Sequence, residues 1–334
     1  MRLFAPLNVP LHRRLETLAV LYHIFCVLFL PTVAVVVSFE LIFTSYRIFV
    51  LLYAIWLYYD FQKPFQGARP CAWYRNCVLW KWFCDYFPIK LVKTAELPPE
   101  HNYIVGSHPH GILSLGVFPS FATNGTGFAQ MFPGITPTLC TLNVIFCIPL
   151  VRELSMASGG ISVSKESISY QLSKEKKGQA VAIVIGGAEE ALDSNPDNYD
   201  LTLAHRKGFV KIALQHGAHL VPLYNFGENK TFAQLDSKRG TILRKLQEVL
   251  KHFAGFSVPL FHGRGVFNYF FGFLPYRVPI NSVVGAPIPV EKVENPTWEQ
   301  INELHRKYCD ALVKLFDDHK VNYGIGAETK INIY

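Results

Sequence analysis

None of the seven cysteines (Cys26, Cys71, Cys77, Cys84, Cys140, Cys147 and Cys309) stands in a C-x-x-C pair. An odd, scattered set excludes a secreted disulfide framework and points to reduced thiols facing the cytosol. The chain also lacks H-E-x-x-H and any dense His/Asp cluster that would complete a metal shell, so no metal is expected. G-x-S-x-G is missing, so no Ser or Cys is presented as a nucleophile on a strand-to-helix elbow. No basic run interleaved with aromatics resembles a nucleic-acid module, which ranks nucleic acid last among partners. The formal charge of +7 instead favours anionic headgroups or phosphate-bearing substrates. Internal repeats and low-complexity tracts are absent as well.

What is abundant is apolar: half of the 334 residues are hydrophobic, high for a wholly soluble enzyme. Leu18 to Phe39 forms an apolar stretch of about 22 residues, long enough to span a bilayer and interrupted only by His23 and Pro31. A shorter apolar segment, Ile48 to Tyr59, follows the hydrophilic break Glu40–Arg47. Arg2, Arg13 and Arg14 precede the pair; Lys63, Arg69 and Arg75 follow it. Basic flanks on both sides predict a transmembrane helical hairpin with both ends in the cytosol. No small-residue cleavage site marks a signal peptide. The expected organisation is a membrane-anchoring hairpin over 1–60 and a cytosol-facing domain over 61–334.

Strand patterns recur at Tyr103–Gly106, Ile161–Val163, Ala180–Ile185, Leu220–Phe226 and Ser282–Gly285. Helical patterns separate several of them. Ser164 caps one through about Lys174, and Lys207–Gln215 forms another, stopped by Gly217. Thr297 with Gln300 makes a capping-box pattern ahead of an amphipathic helix. Its stripe of Ile301, Leu304, Tyr308, Leu312 and Leu315 reads as core and nothing more. The alternation predicts an α/β domain with a mixed sheet flanked by helices. Between Trp73 and Phe87, aromatics mixed with Arg75 and Lys81 fit a membrane interface as well as an ordinary core helix.

The chemistry concentrates where strands end. His108-Pro109-His110-Gly111 follows the first apolar strand, so its side chains point toward a cleft at the strand edge. Histidine takes and returns a proton near pH 7, which suits general-base work on a hydroxyl. Pro109 restricts the backbone between the two rings, and the Gly111 N–H could donate to an oxyanion. Gly186-Gly187-Ala188-Glu189-Glu190 ends another strand; a carboxylate there could bond the far nitrogen of the imidazole ring, with Glu189 read as a helix cap. Arg206, Lys207 and Lys211 stand at a helix start, where cations and N–H groups could receive phosphates such as those of coenzyme A. The aromatic segment around Phe261-His262-Gly263-Arg264-Gly265 fits an acyl tunnel, an interface-bound element or core.

His108-Pro109-His110-Gly111, Arg152-Glu153, Gly186-Gly187-Ala188-x-Glu190, Arg206-Lys207-Gly208-Phe209-Val210-Lys211, Phe226-Gly227-Glu228-Asn229 and His262-Gly263-Arg264-Gly265 occur in one order. In that order they resemble the diacylglycerol acyltransferase type 2 family, over essentially the whole chain. Phe4-Ala5-Pro6-Leu7 and the short amino terminus look like its 2-acylglycerol (monoacylglycerol) branch. The resemblance implies a glycerolipid-acyltransferase-like fold in the endoplasmic-reticulum membrane, with lipid droplets as a further location, and an active site facing the cytosol. It implies an acyl-CoA co-substrate, no bound cofactor, and a mono- or diacylglycerol acceptor, or a wax alcohol; a homo-oligomer is compatible with it. His110 would be the base, with His108 and Gly111 beside it and Glu190 a partner. The His-x-x-x-x-Asp dyad of related glycerolipid acyltransferases is not local here, because position 115 is Leu115. Two rival classes are a metal-dependent membrane hydrolase using His108 and His110, and a non-catalytic lipid-binding membrane protein.

Overall fold

Apolar runs without polar alternation need cover on both faces, and a computed structural model of the chain shows how they obtain it. It describes residues 4, 6, 8–234, 241, 245, 247 and 259–334; Arg2, Ala5 and Leu7, read above as flank and branch signals, lie outside these. The strands are β1 (Lys90–Lys93), β2 (Tyr103–His108), β3 (Thr136–Thr141), β4 (Gly160–Ser162), β5 (Gln179–Val184), β6 (Asp200–Leu201), β7 (His219–Phe226), β8 (Ala233–Gln234), β9 (Phe261–His262), β10 (Asn281–Val284) and β11 (Asn332–Ile333). Seven of them form one mixed sheet in the order β1-β10-β7-β2-β5-β3-β4. Within it only the β10–β7 pairing is antiparallel.

Strand period sends neighbouring residues to opposite faces. Ile104, Val181 and Leu220 meet Phe209, Val210 and the stripe of the C-terminal helix Trp298–His319 on one side. Tyr103, Val105, Ala182 and Val221 meet Phe121, Phe128 and Phe132 on the other. The expected caps form. Ser164 Oγ accepts from the Ser167 N–H, Gly217 closes the helix Gly208–His216 in a left-handed conformation, and both halves of the Thr297/Gln300 box are made. β2 lies between β7 and β5, all three parallel, so the segments after them share one edge of the sheet.

At the amino terminus a single helix, Leu11–Ile42, is long and apolar enough to cross a membrane among the described residues. It carries a wide π-helical turn at Phe25–Phe29, just ahead of Pro31, whose ring and missing N–H disturb the regular ladder. The second segment forms a 14-residue helix, Arg47–Asp60, about 21 Å long at 1.5 Å per residue and short of a roughly 30 Å hydrocarbon core. The two legs are therefore unequal: by length and composition only Leu11–Ile42 could cross a membrane, while Arg47–Asp60 brings the chain back to the domain at Asp60. Nor is the amino terminus a free-standing anchor: Ala19, Val20 and Ile24 share a buried cluster with Trp80, Phe83, Tyr86 and Phe87. Four of the aromatics after residue 73 are thus core, while Trp73 stays exposed.

The short helix is locked to the domain by charge. Arg152, fully buried, reaches Asp60 at 2.7 Å and Glu153 at 2.9 Å, and donates to the Asp60 carbonyl. Arg69 joins the same two acids from outside, at 2.5 and 2.8 Å. Removing one partner of a buried pair strands the other charge at a cost of about 3–5 kcal/mol. Asp60→Asn should lower stability by about that amount, read from chemical unfolding in detergent. A loss no larger than that of an exposed pair such as Lys314–Asp318, about 0–1 kcal/mol, would show that the cluster does not hold the helix.

Candidate active site

β2 ends at His108, and the next residues turn across the sheet edge through a cis His108–Pro109 peptide. The two histidines then part company. His108 is fully buried, and its Nε2 lies 3.0 Å from the Tyr308 hydroxyl. That hydroxyl donates its one proton to the Gly106 carbonyl at 3.1 Å, so it must accept from His108 Nε2–H. The tyrosine fits because Gly106 has no side chain: a Cβ there would stand 1.9 Å from its oxygen. Tyr308, read from sequence as core alone, is also a polar contact of the site. Burial pushes the His108 pKa down to about 3, which keeps the ring neutral.

His110 is only partly buried. Its Nδ1 lies 2.9 Å from the Gly111 carbonyl. A carbonyl can only accept, so Nδ1 carries the proton and the Nε2 lone pair is left for another donor. Burial lowers the pKa of His110, the Gly111 bond opposing it, and the balance favours the neutral ring that a base requires. Glu190 does not meet this ring. Its Oε2 accepts from the His110 main-chain N–H at 2.9 Å and its Oε1 from the Thr202 N–H at 2.8 Å. The expected carboxylate-to-ring bond is thus replaced by a carboxylate-to-backbone bond. The Gly-Gly turn makes room for it, since a Cβ on Gly186 would lie 1.8 Å from the Glu190 carboxyl carbon. Glu189, read as a cap, sits in the first turn of the helix Gly187–Leu192 and faces Arg206 at 3.4 Å.

A second acid went unassigned in the sequence. Glu228, fully buried just past β7, accepts from the Leu115 N–H at 2.8 Å and the Gly116 N–H at 2.7 Å. It also fills the space where a side chain on Gly111 would project, 2.6 Å from such a Cβ, and Gly111 has a φ of +63° that favours glycine. Asn225 continues the clamp, donating to Ser107 Oγ at 2.9 Å and the His108 carbonyl at 3.1 Å while accepting from Ser282 at 2.7 Å. In the Phe-Gly-Glu-Asn run, what marks Glu228 is a carboxylate one residue past a buried, mostly apolar strand. A cavity of about 380 Å³ opens beside Pro109 and Glu228, with Asn198, Tyr199, Lys230 and Tyr323 on its walls.

The three basic residues stand together at the start of the helix Gly208–His216, with Arg206 and Lys211 exposed. Arg206 pairs with Glu189, and Lys207 donates to Asn302 at 2.7 Å. The His108 Nε2 is turned into the core toward Tyr308. Among the described residues no three His, Cys, Asp or Glu side chains stand close enough to hold a metal ion.

The family model described as "Diacylglycerol acyltransferase" matches residues 39–334. The chain belongs to the diacylglycerol acyltransferase family and is an acyltransferase. It is 52% identical to 2-acylglycerol O-acyltransferase 1 of Bos taurus, covering 96% of both chains. To the protein of that name from Homo sapiens it is 49% identical, with the same coverage. Diacylglycerol O-acyltransferase 2A of Umbelopsis ramanniana is 46% identical over 96% of this chain and 90% of its own.

The two buried acids generate a pH prediction. Burial raises Glu190 and Glu228 from 4.5 to about 7 against the pull of their N–H partners. A carboxyl whose folded pKa is raised contributes stability that is full below the unfolded value of 4.5. That contribution is lost as pH climbs through about 7. The protein should therefore lose stability between these limits. A Glu190→Gln/Glu228→Gln variant should show a flatter dependence in a denaturant series; an unchanged slope would trace the effect to other groups.

Proposed function

We propose that the enzyme transfers an acyl group from acyl-CoA to the free hydroxyl of a mono- or diacylglycerol, with His110 as general base. The observation that carries this reading is the free Nε2 of a neutral, partly exposed His110, held at the sheet edge by backbone bonds to buried acids. The acceptor hydroxyl gives its proton to His110 Nε2 as its oxygen attacks the thioester carbonyl carbon. The oxyanion is stabilised by main-chain N–H groups near Gly111 or Gly187. Collapse breaks the carbon–sulfur bond, and the CoA thiolate takes the proton back from His110. Glu190, Glu228 and His108 act as positioning residues, holding the backbone from which His110 projects. The relatives named 2-acylglycerol O-acyltransferase support an acylglycerol as acceptor.

The apolar helix Leu11–Ile42 supports a membrane-bound enzyme. In this reading residues 1–60 anchor the chain in the endoplasmic-reticulum membrane, both ends lie in the cytosol, and 61–334 carry catalysis. Arg206, Lys207 and Lys211 are proposed to receive the phosphates of CoA.

His110→Ala should lower turnover by about two to four orders of magnitude while membrane association persists. Near-normal turnover of the purified variant with labelled acyl-CoA would remove His110 from the chemistry. Replacing Arg206 and Lys207 by Ala together should raise the Michaelis constant for acyl-CoA far more than that for the uncharged acceptor. Added salt should mimic the defect, since exposed charges are screened beyond about 8–10 Å at physiological ionic strength. Equal losses for both substrates would instead make the cluster a support for its helix.

A further inference from the structure

The His262-Gly263-Arg264-Gly265 motif has no part in the chemistry above. It folds into a narrow ribbon: the Gly263 N–H donates to the Gly272 carbonyl at 2.7 Å, and Arg264 and Leu274 exchange main-chain bonds at 2.7 and 2.9 Å. The glycines allow so tight a fold. A Cβ on Gly263 would lie 2.0 Å from the Leu274 carbonyl oxygen. At the tip the ribbon turns its largest side chains outward: Phe267 is 80% exposed, Phe271 61% and Phe270 54%. Aromatics are not left in water in such numbers without a partner.

The ribbon's neighbours say what the partner is. Phe273 meets Phe29 of the apolar N-terminal helix edge-to-face at 5.4 Å. Phe270 meets Phe4 at 6.1 Å, and Asn268 bridges to Phe4 through the backbone. A cavity of about 250 Å³, lined by Leu21, Phe25, Phe29, Phe273 and Leu274 with Arg264, carries the apolar surface inward between helix and ribbon. Depth follows from the two legs. Phe29 precedes Ile42, and Asp60 follows Arg47, by equal lengths of helix, about 20 Å in each case. Phe29 and Asp60 thus stand equal lengths of helix from the turn that joins the legs, and Asp60 is the end bound to Arg152 of the polar domain. Arg264 lies over the Tyr269 ring at 4.7 Å, a cation beside an amphipathic ring as found at headgroup depth.

We propose that this ribbon is a second membrane contact, its aromatic tip immersed among lipid chains where the N-terminal helix enters the bilayer. The inference rests on the membrane-bound reading of that helix. It assigns to the segment a partner, the bilayer, independently of the acyl-transfer chemistry.

The test places the photoreactive p-benzoylphenylalanine at Phe267, Phe271, Phe39 or Trp298, one at a time, in the full chain reconstituted into phosphatidylcholine vesicles. Phe39 reports on the lipid-facing helix, and Trp298 is an exposed position at the start of the C-terminal helix. Illumination followed by mass spectrometry should give phosphatidylcholine adducts at Phe267, Phe271 and Phe39, and none at Trp298. Adducts at Phe39 without any at the tip positions would overturn the proposal and leave the membrane-bound helix standing. Lipid adducts nowhere would overturn both. Crosslinks from the tip to a second copy of the chain would make it a subunit contact and also defeat the proposal. Because the readout is a lipid adduct and not turnover, a wrong assignment of His110 would not disturb it.

Discussion

The main-chain N–H groups of His110, Leu115 and Gly116 lie past the end of β2, beyond the register in which its neighbours pair with it. A buried donor left unpaired costs about 1–3 kcal/mol, so acceptors must come from elsewhere. They come from two carboxylates, one following each strand that flanks β2: Glu190 after β5 and Glu228 after β7. Burying these acids is itself costly, which is why both are pushed up to about 7. Acid and loop are thus mutually dependent, and this exchange fixes where His110 stands. It also explains the glycines. Gly111 and Gly186 are small because a carboxylate occupies the volume next to each.

Much of this was legible from sequence. Apolar runs predict β2, β5 and β7 because a strand covered on both faces is mostly apolar along its length. Helix ends were readable wherever the capping group is local, as at Ser164, Thr297 and Gly217. Strands β1 and β3 carry no such signal. Lys90-Leu91-Val92-Lys93 is a short edge strand, and Thr136-Pro137-Thr138 carries a proline and two threonines, so neither shows a clean apolar run. In the site, residue types were legible and partners were not. That Glu190 bonds the backbone and not the ring depends on where the loop passes. That Tyr308 reaches His108 depends on a contact 200 residues apart. Periodicity places Tyr308 on the buried face but says nothing about its hydroxyl.

The amino terminus shows one helix divided between two solvents. Up to Ile24 it contributes Ala19, Val20 and Ile24 to a protein core, and beyond Phe25 it exposes Phe29, Val33, Val35, Val36, Val37 and Phe39. Hydropathy cannot separate these halves, since lipid chains and a protein core make similar demands on side chains. Polar groups can. Glu16 pairs with Arg277 in the first half, and no charged residue occurs between His23 and Glu40. The chain thus enters its apolar course already bound to the α/β domain and leaves it at Asp60, bound again through Arg152. In the proposed membrane-bound reading, clamps at both ends of the apolar course mean that the domain's distance from the bilayer is set by the fold and not by a linker.

The same fixity separates two histidines only two residues apart. His108 closes a strand, so its ring follows strand period into the face that holds Tyr308. There a tyrosine proton already committed to Gly106 forces the histidine to be the donor. Its other nitrogen, Nδ1, is buried as well, and burial keeps the ring neutral and away from solvent. His110 lies beyond the strand, where the Gly111 carbonyl claims Nδ1–H and nothing in the strand ladder claims the ring. Its backbone is held by Glu190, so the ring need not be held from its far side to be oriented. In serine-hydrolase triads a carboxylate orients the base through its ring and stabilises the charge it acquires. Here the carboxylate acts through the peptide, which gives orientation with less electrostatic support. In the proposed mechanism that arrangement suits a leaving group that is a thiolate. A good leaving group requires little assistance, and the proton need reside on the imidazole only briefly before it is returned.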